Sequence, residues 1–183
     1  MNRFAFLLAL APIAAPIHAD EVAIASAQTV IEAALEAFEA GEYVKMERMR
    51  PPSQLRVMVE ASGVSEEEYL NTRAAKVEAS LEVVTIESVR LLPDSLSTLQ
   101  TPTGRTYVAA TVETYWRFDE DNLTRILGPM IAFEDGGNWY YTRVEKDADL
   151  SALRKAYPEF LDVEFPAQQM EQVPTNQLPE DLQ

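Results

Sequence analysis

The chain reads as an α+β protein in which N-terminal helices pack on a long, twisted antiparallel sheet of about four strands, followed by a short C-terminal helix. Three observations predict this. Up to about residue 80, apolar side chains recur at three-four spacing. After Leu81 the period shortens to two, and the strands are joined by tight hairpins, with no helical crossovers between them.

The helices follow in order. From Val22 to Ala40, side chains Ala27, Val30, Ile31, Ala34, Leu35 and Phe38 fall on one helical face, and Gly41 is placed to end the run. Tyr43 to Met49 forms a second short helix stopped by Pro51 and Pro52. Gln54 to Ala61 is a third, closed by Gly63. Ser65-Glu66-Glu67-Glu68 is a capping box that opens a fourth helix through Ser80. Its three glutamates are explained by the positive end of the helix dipole; adjacent helical positions fan outward and do not converge on a metal ion.

Leu81 to Leu91, rich in Val, Ile and Thr, is the first strand, and Leu92 to Gly104 reads as a loop. In Arg105 to Phe118 one face carries Val108, Ala110, Val112, Thr114, Trp116 and Phe118. That face belongs to the core. The other, with Tyr107, Ala109, Thr111, Glu113, Tyr115 and Arg117, is half wet. An acidic turn, Asp119-Glu120-Asp121-Asn122, leads into a strand from Leu123 to Glu134 and lacks the spacing of a calcium loop. Asp135-Gly136-Gly137 then makes a hairpin into Asn138 to Val144, where Trp139, Tyr141 and Arg143 share a face. Asp149 is placed to cap a last helix through Tyr157, stopped by Pro158. From Pro166 onward, three prolines, five glutamines and few apolar residues predict a disordered tail over 167–183.

Residues 1–19 have the layout of a cleavable signal peptide. Arg3 precedes the apolar run Phe4 to Ile17, Pro12 and Pro16 break that run, and Ala19 is a small residue before the cut. The expected product starts at Asp20, forms a single domain over 20–166, and is periplasmic or secreted, with no membrane insertion after cleavage. Cleavage removes the only histidine, and the chain holds no cysteine. Lipid attachment through cysteine, disulfides, thiol or imidazole catalysis and zinc chemistry are thereby excluded, and no cofactor is expected. The product carries 14 basic against 30 acidic side chains. That excess repels phosphate backbones and argues against a nucleic-acid partner.

Three pieces carry a resemblance to a known family: Ala40-Gly41-Glu42-Tyr43 with prolines downstream, the long strand Arg105 to Phe118, and Glu134-Asp135-Gly136-Gly137-Asn138-Trp139-Tyr140-Tyr141. Together the layout resembles the nuclear transport factor two-like superfamily. The resemblance implies a cone, with helices closing one side of a strongly curved sheet around a concave pocket. That superfamily includes isomerases and dehydratases as well as members that only bind. Its dehydratase pattern needs a histidine that the mature chain lacks, and no motif here fixes the isomerase positions.

Any enzyme on such a scaffold would work with carboxylates and tyrosines. Glu113 is then the candidate base, with Tyr115 beside it, because burial would raise a carboxyl toward useful basicity. The bland alternative puts that face outside, in water or against a paired strand. Thr114, Trp116, Trp139, Tyr141 and Arg143 are the candidate ligand-binding residues, or alternatively plain core. No metal site is expected. The expected function is that of an exported, soluble, non-catalytic protein that binds a small molecule or an envelope protein, as a monomer or an oligomer. The alternatives are a cofactor-independent isomerase or lyase and a subunit of an envelope assembly.

Overall fold

Four helices precede the sheet in the computed structural model, which describes residues 17–118 and 122–174. They are α1 (Ile17–Glu39), α2 (Tyr43–Arg48), α3 (Pro52–Ser62) and α4 (Glu66–Leu81). α1 ends where Gly41 takes φ +73°: the amide of Glu42 donates to Ala37 O at 2.8 Å and that of Gly41 to Phe38 O at 3.1 Å. α3 starts on Pro52, whose missing N–H is no loss in a first turn. α4 is capped as its sequence predicts, Ser65 Oγ accepting from the Glu68 amide at 3.2 Å. The expected signal segment lies outside the described residues over 1–16; α1 begins just before its end.

The sheet is strongly curved and antiparallel. Its two long central strands are β3 (Thr106–Arg117) and β4 (Asn122–Asp135), joined in register from Val108↔Ala132 to Arg117↔Leu123. Two short strands share the free side of β3: β1 (Thr85–Leu91) and β2 (Ser97–Gln100). Two more share that of β4: β5 (Asn138–Arg143) along Met130 to Asp135, and β6 (Gln169–Pro174) along Asn122 to Leu127. Gly128 and Pro129 fall in the gap between them, which is where a proline is tolerated in an otherwise central strand. Gly136 and Gly137, at φ +60° and +84°, make the β4–β5 hairpin, a backbone that side chains with a Cβ rarely adopt.

One sheet face packs on α1. Ala27, Ile31 and Ala34 meet Val108, Ala110, Val112, Ala132 and Tyr141 in a buried core. The opposite face, expected to be half wet, is half-buried: Tyr107, Glu113 and Tyr115 are buried, while Ala109, Thr111 and Arg117 are only partly covered. Helix α5 (Asp147–Ala156) and the 3-10 turn Pro158–Phe160 fold back over it, and Leu153, Tyr157 and Phe160 pack on Tyr107, Ile131 and Phe133.

Several expectations need correction. The stretch Leu92 to Gly104 is not a simple loop: it holds a 3-10 turn (Pro93–Ser95) and β2. Hydroxyls hold it in place, Ser95 Oγ donating to Leu92 O at 2.6 Å and accepting from the Thr111 amide at 2.8 Å. Asp149 does not cap α5, since the cap position is Lys146 and Asp149 lies inside the helix with its side chain buried. The tail expected to be disordered contributes β6, because an edge strand can be fixed by its partner's ladder with no apolar pattern of its own. Residues 119–121 of the acidic turn and 175–183 of the tail lie outside the described residues.

Candidate functional site

Glu113 and Tyr115 stand together at the centre of β3, on the face away from α1. Glu113 is 1 % exposed, and both of its oxygens are engaged. Arg90 Nε donates to Oε2 at 2.6 Å and Arg125 Nε donates to Oε1 at 2.6 Å. Tyr115 Oη lies 3.5 Å from Oε1, and burial followed by the nearby Glu113 charge raises the phenol above its usual range. Arg125 continues outward to Glu171 Oε1 at 2.7 Å. The result is a chain of alternating charges across four strands, Arg90 on β1, Glu113 on β3, Arg125 on β4 and Glu171 on β6. Charge-assisted bonds of this length hold strands in register. With the Tyr115 hydroxyl counted, three of the roughly four acceptor positions of this carboxylate are occupied within the fold.

Thr114, Trp116, Trp139, Tyr141 and Arg143 do share one face of the sheet, the one that receives α1. Tyr141 is fully buried there; its hydroxyl donates to Met46 O at 3.2 Å, and burial pushes the phenol up to about 12. Trp139 packs against the same core. Trp116 sits 6.1 Å from the Phe118 ring, with a buried Nε1 that has no hydrogen-bond partner among the described residues. Arg143 Nε donates to Glu145 Oε1 at 2.6 Å. α1 therefore covers Tyr141 and Trp139, while Thr114, Trp116 and Arg143 are half-buried and lie outside that packed cluster. The described surface depressions lie elsewhere, one along α4 at Ser65, Glu68 and Thr72, the other along α5 at Asp147, Ser151 and Arg154.

Sequence reasoning missed the densest charge cluster. Glu47 at the end of α2, Arg50 just beyond it, Arg73 on α4 and Asp149 on α5 converge beneath β5. The Arg50 side chain has no exposed surface. Its Nε donates to Glu47 Oε2 at 2.7 Å, its Nη2 to Asp149 Oδ2 at 3.3 Å, and its Nη1 lies 3.5 Å from Thr142 Oγ1. Arg73 Nη2 reaches Glu47 Oε1 at 3.2 Å. Gln54 Nε2 donates to the Asp149 carbonyl at 2.8 Å. Burial alone would raise the Glu47 pKa, but Arg50 and Arg73 outweigh it and hold the carboxyl below its usual range. Burial likewise works against the Arg50 charge, and Glu47 and Asp149 overcome it. The available signal was Glu47 and Arg50 at i, i+3 directly before Pro51-Pro52, a charged pair where the chain must turn inward.

Both clusters tie elements together, and in the second Gln54 Oε1, Arg73 Nε and Asp149 Oδ1 are buried with no hydrogen-bond partner among the described residues. Among the described residues no group of three or more His, Cys, Asp or Glu side chains is placed to hold a metal ion. No helix of the described residues is long and apolar enough to cross a membrane. The architecture is thus an α+β half-barrel closed by a helix on one face and by a helix and a 3-10 turn on the other. Compared with known proteins, the chain matches no family model, no curated protein and no solved structure.

Proposed function

We propose that the protein works after export as a non-catalytic interaction protein, and that its partner is another envelope protein. The observation that carries the reading is the filled concave face. Ala27, Ile31 and Ala34 of α1 are at most 1 % exposed and pack in one cluster with Tyr141 and Trp139, two of the five residues expected to receive a ligand. A binding cavity needs room beside its polar groups, and here packed side chains take that room. Glu113, held between Arg90 and Arg125, favours structure over acid-base work. Export is supported by the basic start, the short apolar run and the small residue of 1–19. Helices followed by a curved antiparallel sheet are also what the nuclear transport factor two-like superfamily has, and membership in it is part of this proposal.

Native mass spectrometry of the protein purified from its own host tests the reading. The expected spectrum shows a chain that starts at Asp20, associated with a second kind of polypeptide and carrying no small molecule. A retained small molecule at one copy per chain would overturn the choice of partner, and a turnover that Glu113→Gln abolishes would overturn the non-catalytic assignment.

A further inference from the structure

β6 is the least anchored element of the sheet. Gln169, Met170, Glu171, Gln172 and Pro174 are exposed, Met170 at 62 %, and only Val173 is half-buried. What holds the strand is its ladder to Asn122–Leu127 and the contact between Arg125 and Glu171. The last well-anchored side chains before it are Val163 and Phe165, which belong to the second core. Pro166, Ala167 and Gln168 then form a short hinge with no regular structure. A strand that buries almost nothing opens locally at low cost. When it does, β4 presents an unpaired edge beside Leu123 and Ile126, which are otherwise buried.

We infer that this edge is a strand-docking site for the same segment of a second copy of the chain, so that two copies pair by exchanging β6. The occupant follows from complementarity. The tail already has the register that places Glu171 opposite Arg125, whose guanidinium is gripped on its other side by Glu113. A second copy reproduces every one of these contacts, so exchange breaks nothing that it does not remake. Pro166 fixes one backbone angle at the hinge and narrows the ways in which the tail can return to its own sheet. This goes beyond the interaction role proposed above, because it needs no other protein and stands or falls separately from it.

The absence of cysteine makes the test clean. Thr124 faces Gln172 across the β4–β6 ladder. Chains carrying Thr124→Cys alone and Gln172→Cys alone, distinguished by a mass label, are mixed at high concentration, warmed briefly below melting and oxidised. The expected product is the disulfide-linked mixed pair, about tenfold over either like pair and rising with protein concentration. A chain ending at Gln168 is expected to stay monomeric under the same treatment. Three results would each overturn the inference. One is a double variant, with both cysteines in one chain, that closes only internally at every concentration. Another is a pair of cysteines that fails to join within or between chains, which denies the ladder itself. The third is a tail-less chain that associates as strongly as the full one.

Discussion

Arg50 and Asp149 lie 99 positions apart in the chain, and the guanidinium Nη2 of one stands 3.3 Å from the carboxylate Oδ2 of the other with neither side chain exposed. Because Arg50 also holds Glu47, one cation ties the turn between α2 and α3 to the helix that covers the far face of the sheet. Buried charges are tolerated only when each has its partner.

Removing the cation alone therefore strands two carboxylates. Arg50→Ala is expected to cost about 3–5 kcal/mol, read as a lower urea midpoint at unchanged slope. Replacing Glu47, Arg50 and Asp149 together by apolar residues of similar size should recover most of that loss. A single variant as stable as the parent would show that the cluster contributes nothing.

Acid should act through the same place. The Glu47 carboxyl is held below its ordinary value of 4.5 in the folded state, so its contribution is fully present above that pH and is lost as pH falls through the lower folded value. Urea midpoints measured between pH 7 and 3 should drop more steeply for the parent than for Glu47→Gln. Equal slopes would contradict the assignment.

Alkali acts through tyrosine. Burial raises Tyr141 to about 12; burial and then its bond to Asp135, at 2.7 Å, raise Tyr157 to about 12. Both phenols hold their protons in the fold above the pH at which the unfolded chain releases them. Their contribution is whole below the unfolded value of 10.0 and disappears as pH climbs toward 12. Tyrosinate absorbance should show its two latest groups near 12, one of them missing in Tyr141→Phe.

The seam between α1 and the sheet has a simpler test. Ile31 is completely buried against the strand face. Ile31→Ala should cost about 2–5 kcal/mol, with the cavity term deciding where in that range it falls. Thermal unfolding followed by circular dichroism measures it, and a loss below that range would mean that α1 packs loosely.

The order of elements was legible because local chemistry decided it: the Ser65 cap, the turn at Gly41, the paired glycines after Asp135 and the alternation along β3 all formed as read. What escaped the reading depends on distant partners. β6 carries no apolar alternation and is set by the edge of β4, while Asp149 looked like a helix cap until Arg50 claimed its carboxylate. The candidate residues split by face as the period of two requires, Glu113 and Tyr115 to one side and Thr114 and Trp116 to the other. That α1 would cover Tyr141 and Trp139, and that two arginines would hold Glu113, depended on curvature and cross-strand neighbours that no single segment encodes.

The link from Arg50 to Asp149 also sets an order of events during synthesis. Until residue 149 has left the ribosome, the guanidinium lacks one of its two carboxylate partners, and the inward turn at Pro51-Pro52 has nothing to seal it. The turn between α2 and α3 thus gains its second carboxylate only after most of the polypeptide has been made. Closure of that turn is therefore a late step, waiting on a residue far along the chain.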